Sequence, residues 1–290
     1  MEVIPTGAAL GAEIRGVDIA KPLSDADRKA IRAAWLEHLV LLIRGHRLDD
    51  PALMAFTRSF GELEYAPSNE NSAKFGGDHD QYPEIAIVSN IVENGKPIGS
   101  LGAGEASWHT DSSFIEVPPA GSFLHAIELP SEGGNTSFCN LYAAYETLPD
   151  TLKRRIAGKT AIHNFAYTSA GQLRKGFDVV TDVTKSPGAR HPVVRTHPET
   201  GRKSLFLGRR LGGYIVGMPV DESEALLNEL WAHSTQDKFV WVHRWRVGDL
   251  IIWDNRCTLH RRDAFDPTTR RLLHRAQTKG TVPYEQRMEA

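Results

Sequence analysis

Apolar residues recur at helical spacing in three segments of the chain. A Ser-x-x-Asp pattern begins at Ser24, and the apolar residues that follow it predict a helix over 25–38. Asp50-Pro51 predicts the start of a second helix, with the aspartate as cap and the proline in the first turn. A third helix is predicted over Glu222–Ser234, with Asp221 as its cap.

Elsewhere the apolar runs are short and bounded by turn residues, which is typical of strands. Two short segments, 198–201 and 246–248, predict hairpin connections. So many short strands with few helices between them favour a mostly β protein with flanking helices and a jelly-roll core. The predicted strands are Glu84–Ser89, Gly121–Leu129, Thr136–Asn140, Thr160–Phe165, Val193–His197, Ser204–Gly208, Lys238–Trp245, Asp249–Trp253 and Arg270–Lys279.

Composition narrows the class of protein without indicating its chemistry. The 290 residues carry 34 Lys+Arg against 36 Asp+Glu, a balance that argues against a nucleic-acid partner. No apolar run approaches the length of a membrane span, and the first residues lack the features of a signal peptide. Two cysteines provide no disulfide framework, so we expect a cytoplasmic protein. With no linker or repeat in the chain, we expect a single domain over 1–290.

A histidine and an aspartate two positions apart provide the first chemical indication. In an extended segment His109 and Asp111 project to the same face, because side chains repeat every two residues along a strand. An imidazole and a carboxylate placed in this way can bind one metal ion. A second histidine would complete a triad that leaves three coordination positions open, as in Fe(II) oxygenases.

Ionisable residues near the C-terminus provide the second indication. His260 follows a predicted strand, and Arg271 and Arg275 lie on the same face of the last one. Buried charges need partners, and a guanidinium matches the two oxygens of a carboxylate. If that face points inward, the two arginines are expected to hold two anions.

The ordered set of motifs resembles the taurine dioxygenase and 2,4-dichlorophenoxyacetate dioxygenase family. The set consists of Trp108-His109-x-Asp111, Gly133-Gly134-Asn135-Thr136, Trp253-Asp254-Asn255-Arg256 leading to His260, and the pair Arg271 and Arg275. The resemblance extends from Ile4 to Thr278, and the segment 200–208 is most similar to the phenoxyacetate branch. It implies a 2-oxoglutarate-dependent dioxygenase with a double-stranded β-helix core of the cupin type.

The resemblance also implies roles for single residues. His109, Asp111 and His260 are expected to bind Fe(II), while Arg271 and Thr136 hold the distal carboxylate of 2-oxoglutarate. Arg275 is expected to bind the anionic group of the prime substrate. The same pocket is expected to include His79, Asn90 and Trp108, with a packing role as an equal alternative for Trp108.

The cosubstrates implied are 2-oxoglutarate and O2, and the partner is a small anionic molecule. An aryloxyalkanoate-like carboxylate is favoured, with a sulfonate or an alkyl sulfate as the alternative. Segments near 66–82 and 167–190 are expected to form lids over the pocket. The family resemblance further implies a homo-oligomer, either a dimer or a tetramer.

Two other classes of protein stay open at this point. A zinc hydrolase or lyase could use the same three ligands together with a bound water. A jelly-roll binding module without catalysis could carry the histidines and the aspartate incidentally. Release of succinate during turnover would separate the dioxygenase from both.

Overall fold

The computed structural model describes residues 1–66, 81–100, 102–208 and 210–286. Its strands are β1 (Glu2–Pro5), β2 (Ala12–Arg15), β3 (Val40–Ile43), β4 (Ala86–Ser89), β5 (Val92–Glu93), β6 (Lys96–Pro97), β7 (Ala106–His109), β8 (Gly121–Glu128), β9 (Thr136–Asn140), β10 (Thr160–Ile162), β11 (Arg190–Pro192), β12 (Val194–Thr196), β13 (Lys203–Leu205), β14 (Tyr214–Ile215), β15 (Val240–His243), β16 (Leu250–Asp254), β17 (Thr258–Arg262) and β18 (Leu272–Thr278). Its helices are α1 (Asp25–His38), α2 (Asp50–Arg58), α3 (Leu141–Glu146), α4 (Asp150–Ile156) and α5 (Val220–Ser234). The chain is therefore mostly β with flanking helices, as predicted.

Two sheets carry the core of the fold. One has seven strands in the order β1-β2-β3-β16-β8-β18-β4, and the other has four in the order β15-β9-β17-β7. An apolar cluster between them includes Leu124, Phe138, Ile251, Trp253 and Leu273, drawn from strands of both sheets. The two sheets therefore face each other across a shared interior.

Helices cover the outer faces of both sheets. Trp35 of α1 and Phe56 of α2 pack on Phe123 of β8, with ring centroids 5.7 and 6.2 Å apart. Helices α3 and α5 pack against the outer face of the four-stranded sheet, where Leu259 of β17 is fully buried. Strand β16 is buried along its whole length because it lies between helices on one side and the shared interior on the other.

The helix boundaries correct the sequence predictions in two places. Helix α2 is capped by Asp49, whose side chain accepts a hydrogen bond from the backbone N–H of Ala52, rather than by Asp50. Helix α5 begins at Val220, after Pro219, and has no side-chain cap, so Asp221 lies inside its first turn. Helix α1 spans the predicted residues, and the Ser24 side chain caps its N-terminus as expected. No helix among the described residues is long and apolar enough to cross a membrane.

The two predicted hairpins have different outcomes. Residues 198–201 do join the antiparallel strands β12 and β13, as expected. Residues 246–248 instead connect β15 of the four-stranded sheet with β16 of the seven-stranded sheet, so the hairpin prediction there was wrong. The residue types at 246–248 indicate a turn, but they do not indicate whether the turn joins two strands of the same sheet or of different sheets.

Candidate metal centre and anion pocket

The predicted triad converges on one point. His109 at the end of β7 lies opposite His260 of β17 in the antiparallel register, and the ring centroids are 4.2 Å apart. Oδ1 of Asp111 lies 3.6 Å from Nε2 of His109 and 3.7 Å from Nε2 of His260. One ligand atom from each of the three residues lies within 4.8 Å of the other two. This separation suits three ligands of a single metal ion.

Neighbouring groups fix the orientation of these ligands. Nδ1 of His109 lies 2.7 Å from the carbonyl oxygen of Ser107, an arrangement in which the ring donates through Nδ1 and leaves Nε2 for a metal. The Asn255 side chain holds the Asp111 backbone from both sides, accepting from its N–H at 2.9 Å and donating to its carbonyl at 3.0 Å. Asn255 lies in the turn between β16 and β17, so this turn ties both sheets to the triad.

The carboxylate of Asp111 divides its two oxygens between different partners. Oδ1 faces the histidines, while Oδ2 accepts hydrogen bonds from Arg275 at 2.8 Å and from Gln277 and Ser122 at 3.2 Å each. Burial alone would raise the pKa of Asp111, but the positive charge of Arg275 and the two histidines outweigh it and hold the pKa well below its ordinary value. The residue is therefore an anionic ligand at neutral pH.

Arg271 is a buried cation without a counter-ion among the described residues. It is 2% exposed, its Nε has no hydrogen-bond partner, and its Nη2 reaches only the carbonyl oxygen of Gly134 at 3.5 Å. Burial and the neighbouring Arg262 lower the pKa of Arg271 to about 9. Gly134 has a positive φ of 64°, and a Cβ there would lie 3.2 Å from Nε of Arg271. A glycine thus leaves room beside a guanidinium that lacks an anion.

Thr136 lies at the start of β9, two residues after this glycine. The indole Nε1 of Trp245 donates to its hydroxyl oxygen at 2.9 Å. Because the oxygen accepts from the indole, the hydroxyl keeps its own hydrogen for another acceptor. Thr136 is therefore prepared to donate to an anion.

Arg275 lies on the inward face of β18, whereas Arg271 lies immediately before this strand, and a register shift occurs between Leu272 and Leu273. Leu273 and Arg275 point into the shared interior, whereas His274 points outward and pairs with Asp50 of α2 at 2.5 Å. Continuing the same alternation adds Gln277, which the sequence predictions did not include. Ser122 and Trp245 were also missed, and no local pattern singles them out because their contacts come from other strands.

Two expected pocket residues, Trp108 and Asn90, have other placements. Trp108 lies on the face of β7 opposite His109 and packs against the outer apolar cluster, with Arg261 over its ring, which corrects its assignment to the pocket. The Asn90 side chain accepts from the backbone N–H of Arg271 at 2.9 Å and donates to the carbonyl of Thr269 at 2.8 Å. Asn90 therefore holds the backbone at Arg271. His79 lies outside the described residues.

A mononuclear metalloenzyme with an adjoining anion pocket is the class of protein that these sheets and this site define. Residues 2–277 match the family described as "Taurine catabolism dioxygenase TauD, TfdA family", and the chain belongs to this family. The predicted resemblance is thereby confirmed.

Individual relatives agree with this assignment. The chain is 39% identical over 285 residues to the alpha-ketoglutarate-dependent 2,4-dichlorophenoxyacetate dioxygenase of Burkholderia sp. (strain RASC), covering 94% of this chain and 88% of that protein. It is 32% identical over 298 residues to the (S)-phenoxypropionate/alpha-ketoglutarate-dioxygenase of Delftia acidovorans, covering 97% and 95%. The crystal structure of AAD-2 in complex with Mn(II) and N-oxalylglycine superposes with a TM-score of 0.78 at 32% identity, covering 97% and 98%. The prediction of a 2-oxoglutarate-dependent dioxygenase that uses Fe(II) and O2 is confirmed at the level of the family.

Proposed function

We propose that this chain hydroxylates a small anionic substrate, with an aryloxyalkanoate-like carboxylate as the favoured class. The observation that carries this proposal is a pair of largely buried guanidiniums: Arg275 bonds the Asp111 carboxylate of the triad, and Arg271 lies just before the same strand. Two anions, a cosubstrate carboxylate and a substrate anion, account for two such cations. The aryloxyalkanoate preference is supported by the phenoxyacetate and phenoxypropionate dioxygenases among the relatives. A sulfonate or an alkyl sulfate is the alternative within the same family.

The metal would be held by His109, Asp111 and His260, since two imidazoles and one carboxylate are the ligand set of non-haem Fe(II) oxygenases. Bound Fe(II) together with 2-oxoglutarate supplies the oxidising chemistry, with O2 as oxidant and succinate and CO2 as coproducts. Arg271 and Thr136 would hold the distal carboxylate of 2-oxoglutarate, because one offers an unpaired buried charge and the other a free hydroxyl hydrogen. The protein thereby orients the cosubstrate toward the triad.

The substrate's anionic group would bind Arg275. This guanidinium lies beside the triad, so an anion on it places the neighbouring C–H bonds near the metal. Hydroxylation of a carbon that bears an ether oxygen gives a product that breaks apart without further catalysis. The enzyme can therefore release a phenol from an aryloxyalkanoate while performing only a hydroxylation.

We further infer a jelly-roll core formed by the two facing sheets within a single domain. The segment 167–190 is suited to a lid role: the backbone N–H and the hydroxyl of Ser107 in β7 both donate to the carbonyl of Ser169, and Ala189 bonds to Phe114 in the loop after Asp111. A cytoplasmic location is supported by two free, buried cysteines. The inference of a homo-oligomer rests on the family alone.

A screen for succinate release tests the proposal. The protein is incubated with Fe(II), ascorbate, 2-oxoglutarate and one candidate from each of four classes: aryloxyalkanoates, sulfonates, alkyl sulfates and other small carboxylates. We expect the aryloxyalkanoate to raise succinate release furthest above the substrate-free rate, with phenol formed in equal amount. The His109→Ala variant provides the metal-site control. If no anion raised the rate above that control, the proposed function would be wrong.

A further inference from the structure

The outer oxygen of Asp111 is held by two neutral donors besides Arg275. Gln277 of β18 and Ser122 of β8 are 3% and 0% exposed, and each donates to Oδ2 of Asp111 at 3.2 Å. Gln277 also donates to the hydroxyl oxygen of Ser122 at 2.7 Å. The side chains of Asp111, Gln277 and Ser122 thus form a closed triangle of hydrogen bonds in the shared interior of the two sheets.

The donors of this triangle can be assigned without conflict. The amide nitrogen of Gln277 carries two hydrogens, one for Asp111 and one for Ser122, and the single hydrogen of Ser122 goes to Asp111. Turning the amide over would place its oxygen against the carboxylate, so the network itself sets the orientation. Both amide hydrogens of Gln277 and the hydroxyl hydrogen of Ser122 are therefore used in hydrogen bonds within the triangle.

We propose that Gln277, together with Ser122, is a positioning pair that keeps Asp111 a one-oxygen metal ligand. The inference rests on the proposed function. A carboxylate that turned both oxygens toward the metal would occupy a further coordination position, and the cosubstrate chelate and O2 need all three positions left by the triad. Donors on Oδ2 oppose that turn, because it would leave buried hydrogen-bonding groups unpaired.

Arg275 cannot perform this task alone if it also binds the substrate. A substrate anion on Arg275 would share this guanidinium with Oδ2 of Asp111, since Nη1 lies 2.8 Å from the carboxylate while Nε has no partner among the described residues. Gln277 and Ser122 are uncharged and attract an anion far less. They therefore continue to hold Asp111 when Arg275 turns to the substrate.

The test uses the full-length variants Gln277→Met, Ser122→Ala and the double variant. Methionine keeps the length of glutamine without a donor. Ser137→Ala is the matched control, since Ser137 is a serine buried to 1% exposure in β9 that is not part of the triangle. Binding of Co(II) is titrated by visible absorption, and the charge-transfer band of the anaerobic Fe(II) and 2-oxoglutarate complex is recorded.

We expect the double variant to bind Co(II) about 10- to 100-fold more weakly, the usual range for loss of groups that orient metal ligands. We also expect its charge-transfer band to shift and weaken, while Ser137→Ala matches the wild type. A purely structural role would lower the unfolding temperature of the metal-free protein without changing the band. If the double variant does not fold, Ser122→Ala alone is measured, with the same direction expected.

Different results would overturn the positioning role of Gln277 and Ser122 and the proposed function. An unchanged affinity and band in a folded variant that lacks the donors would overturn the positioning role and leave the proposed function intact. Absence of the band in the wild-type protein would overturn both.

Discussion

Arg271 is the residue at which cosubstrate affinity and protein stability should change in opposite directions. Its guanidinium is buried beside Gly134 and Phe265, with no carboxylate in contact among the described residues. Replacement by methionine keeps most of the buried apolar volume and removes the charge. We therefore expect Arg271→Met to stabilise the cosubstrate-free protein and to abolish tight binding of 2-oxoglutarate.

The magnitude follows from the pKa. Burial lowers the pKa of Arg271 to about 9, and the difference from the ordinary value corresponds to a destabilisation on the order of 5 kcal/mol at 1.36 kcal/mol per pKa unit. A base whose pKa is depressed by folding carries this full cost at every pH below the folded-state pKa, and the cost falls progressively as the pH rises from about 9 toward the ordinary pKa of arginine. The gain in stability of the variant should therefore be largest near neutral pH and shrink in alkaline solution.

The loss of affinity is estimated from the ion pair that the cosubstrate would form. Removing one partner of a buried pair costs roughly 3–5 kcal/mol. That cost corresponds to a dissociation constant for 2-oxoglutarate that is about 100- to 5,000-fold higher. Metal binding should be nearly unchanged, because Arg271 does not contact the triad.

Urea unfolding across pH, combined with anaerobic titration of 2-oxoglutarate, measures both effects. Arg270→Met is the matched control, because the neighbouring arginine is exposed and pairs with Glu128 at 2.7 Å on the other face of the chain. It should leave the cosubstrate affinity unchanged. A destabilised Arg271→Met protein that still bound 2-oxoglutarate normally would refute the reasoning.

Other changes have equally definite expectations. Replacing His109 or Asp111 by alanine should abolish Fe(II) binding and turnover while circular dichroism shows an intact fold; activity in both variants would contradict the ligand assignment. Arg275→Ala should raise the KM of the prime substrate far more than that of 2-oxoglutarate, and equal effects on both constants would oppose separate roles for the arginines. Asp254→Asn should destabilise the protein by roughly 3–5 kcal/mol, since buried Arg256 loses the negative charge of its 2.7 Å partner and keeps only the more exposed Glu199 at 2.6 Å. The pKa of Asp254 is held far below its ordinary value by Arg256, although burial opposes this. Its contribution to the free energy of unfolding is therefore present above the unfolded-state pKa and lost as the pH falls. Urea titrations in which Asp254→Asn showed no loss of stability would argue against this role.

The fold could be predicted where local chemistry decides it. The cap at Ser24 and the apolar spacing after it define α1 without help from the rest of the chain. The sequence did not reveal which strands share a sheet, because pairing is set by contacts distant along the chain. Residues 246–248 show this: the turn was recognised, but its two strands belong to different sheets.

The candidate site could be predicted where its residues follow the two-residue alternation of side chains along a strand. His109 with Asp111, and Arg271 with Arg275, each follow a strand pattern visible in the sequence. The structure brings His109 and Asp111 together and buries Arg271, although Asp111 and Arg271 lie just outside β7 and β18. Trp108 was assigned to the wrong face, although the same alternation that points His109 inward points its neighbour outward. Ser122 could not have been found, because β8 meets β18 only through the sheet register.

The two arginines differ in what an arriving anion must displace. Arg271 has no carboxylate in contact among the described residues, so the cosubstrate brings a counter-ion to a charge that already bears the cost of burial. Arg275 already bonds Asp111 through Nη1, so a substrate anion on this guanidinium would share it with a residue of the triad. With the proposed roles, binding of 2-oxoglutarate should leave the triad undisturbed, whereas binding of the substrate should draw part of the positive charge of Arg275 away from Asp111. With a metal bound, this loss of positive charge would make Asp111 a stronger donor to it, which would link the metal centre to the occupancy of the substrate pocket.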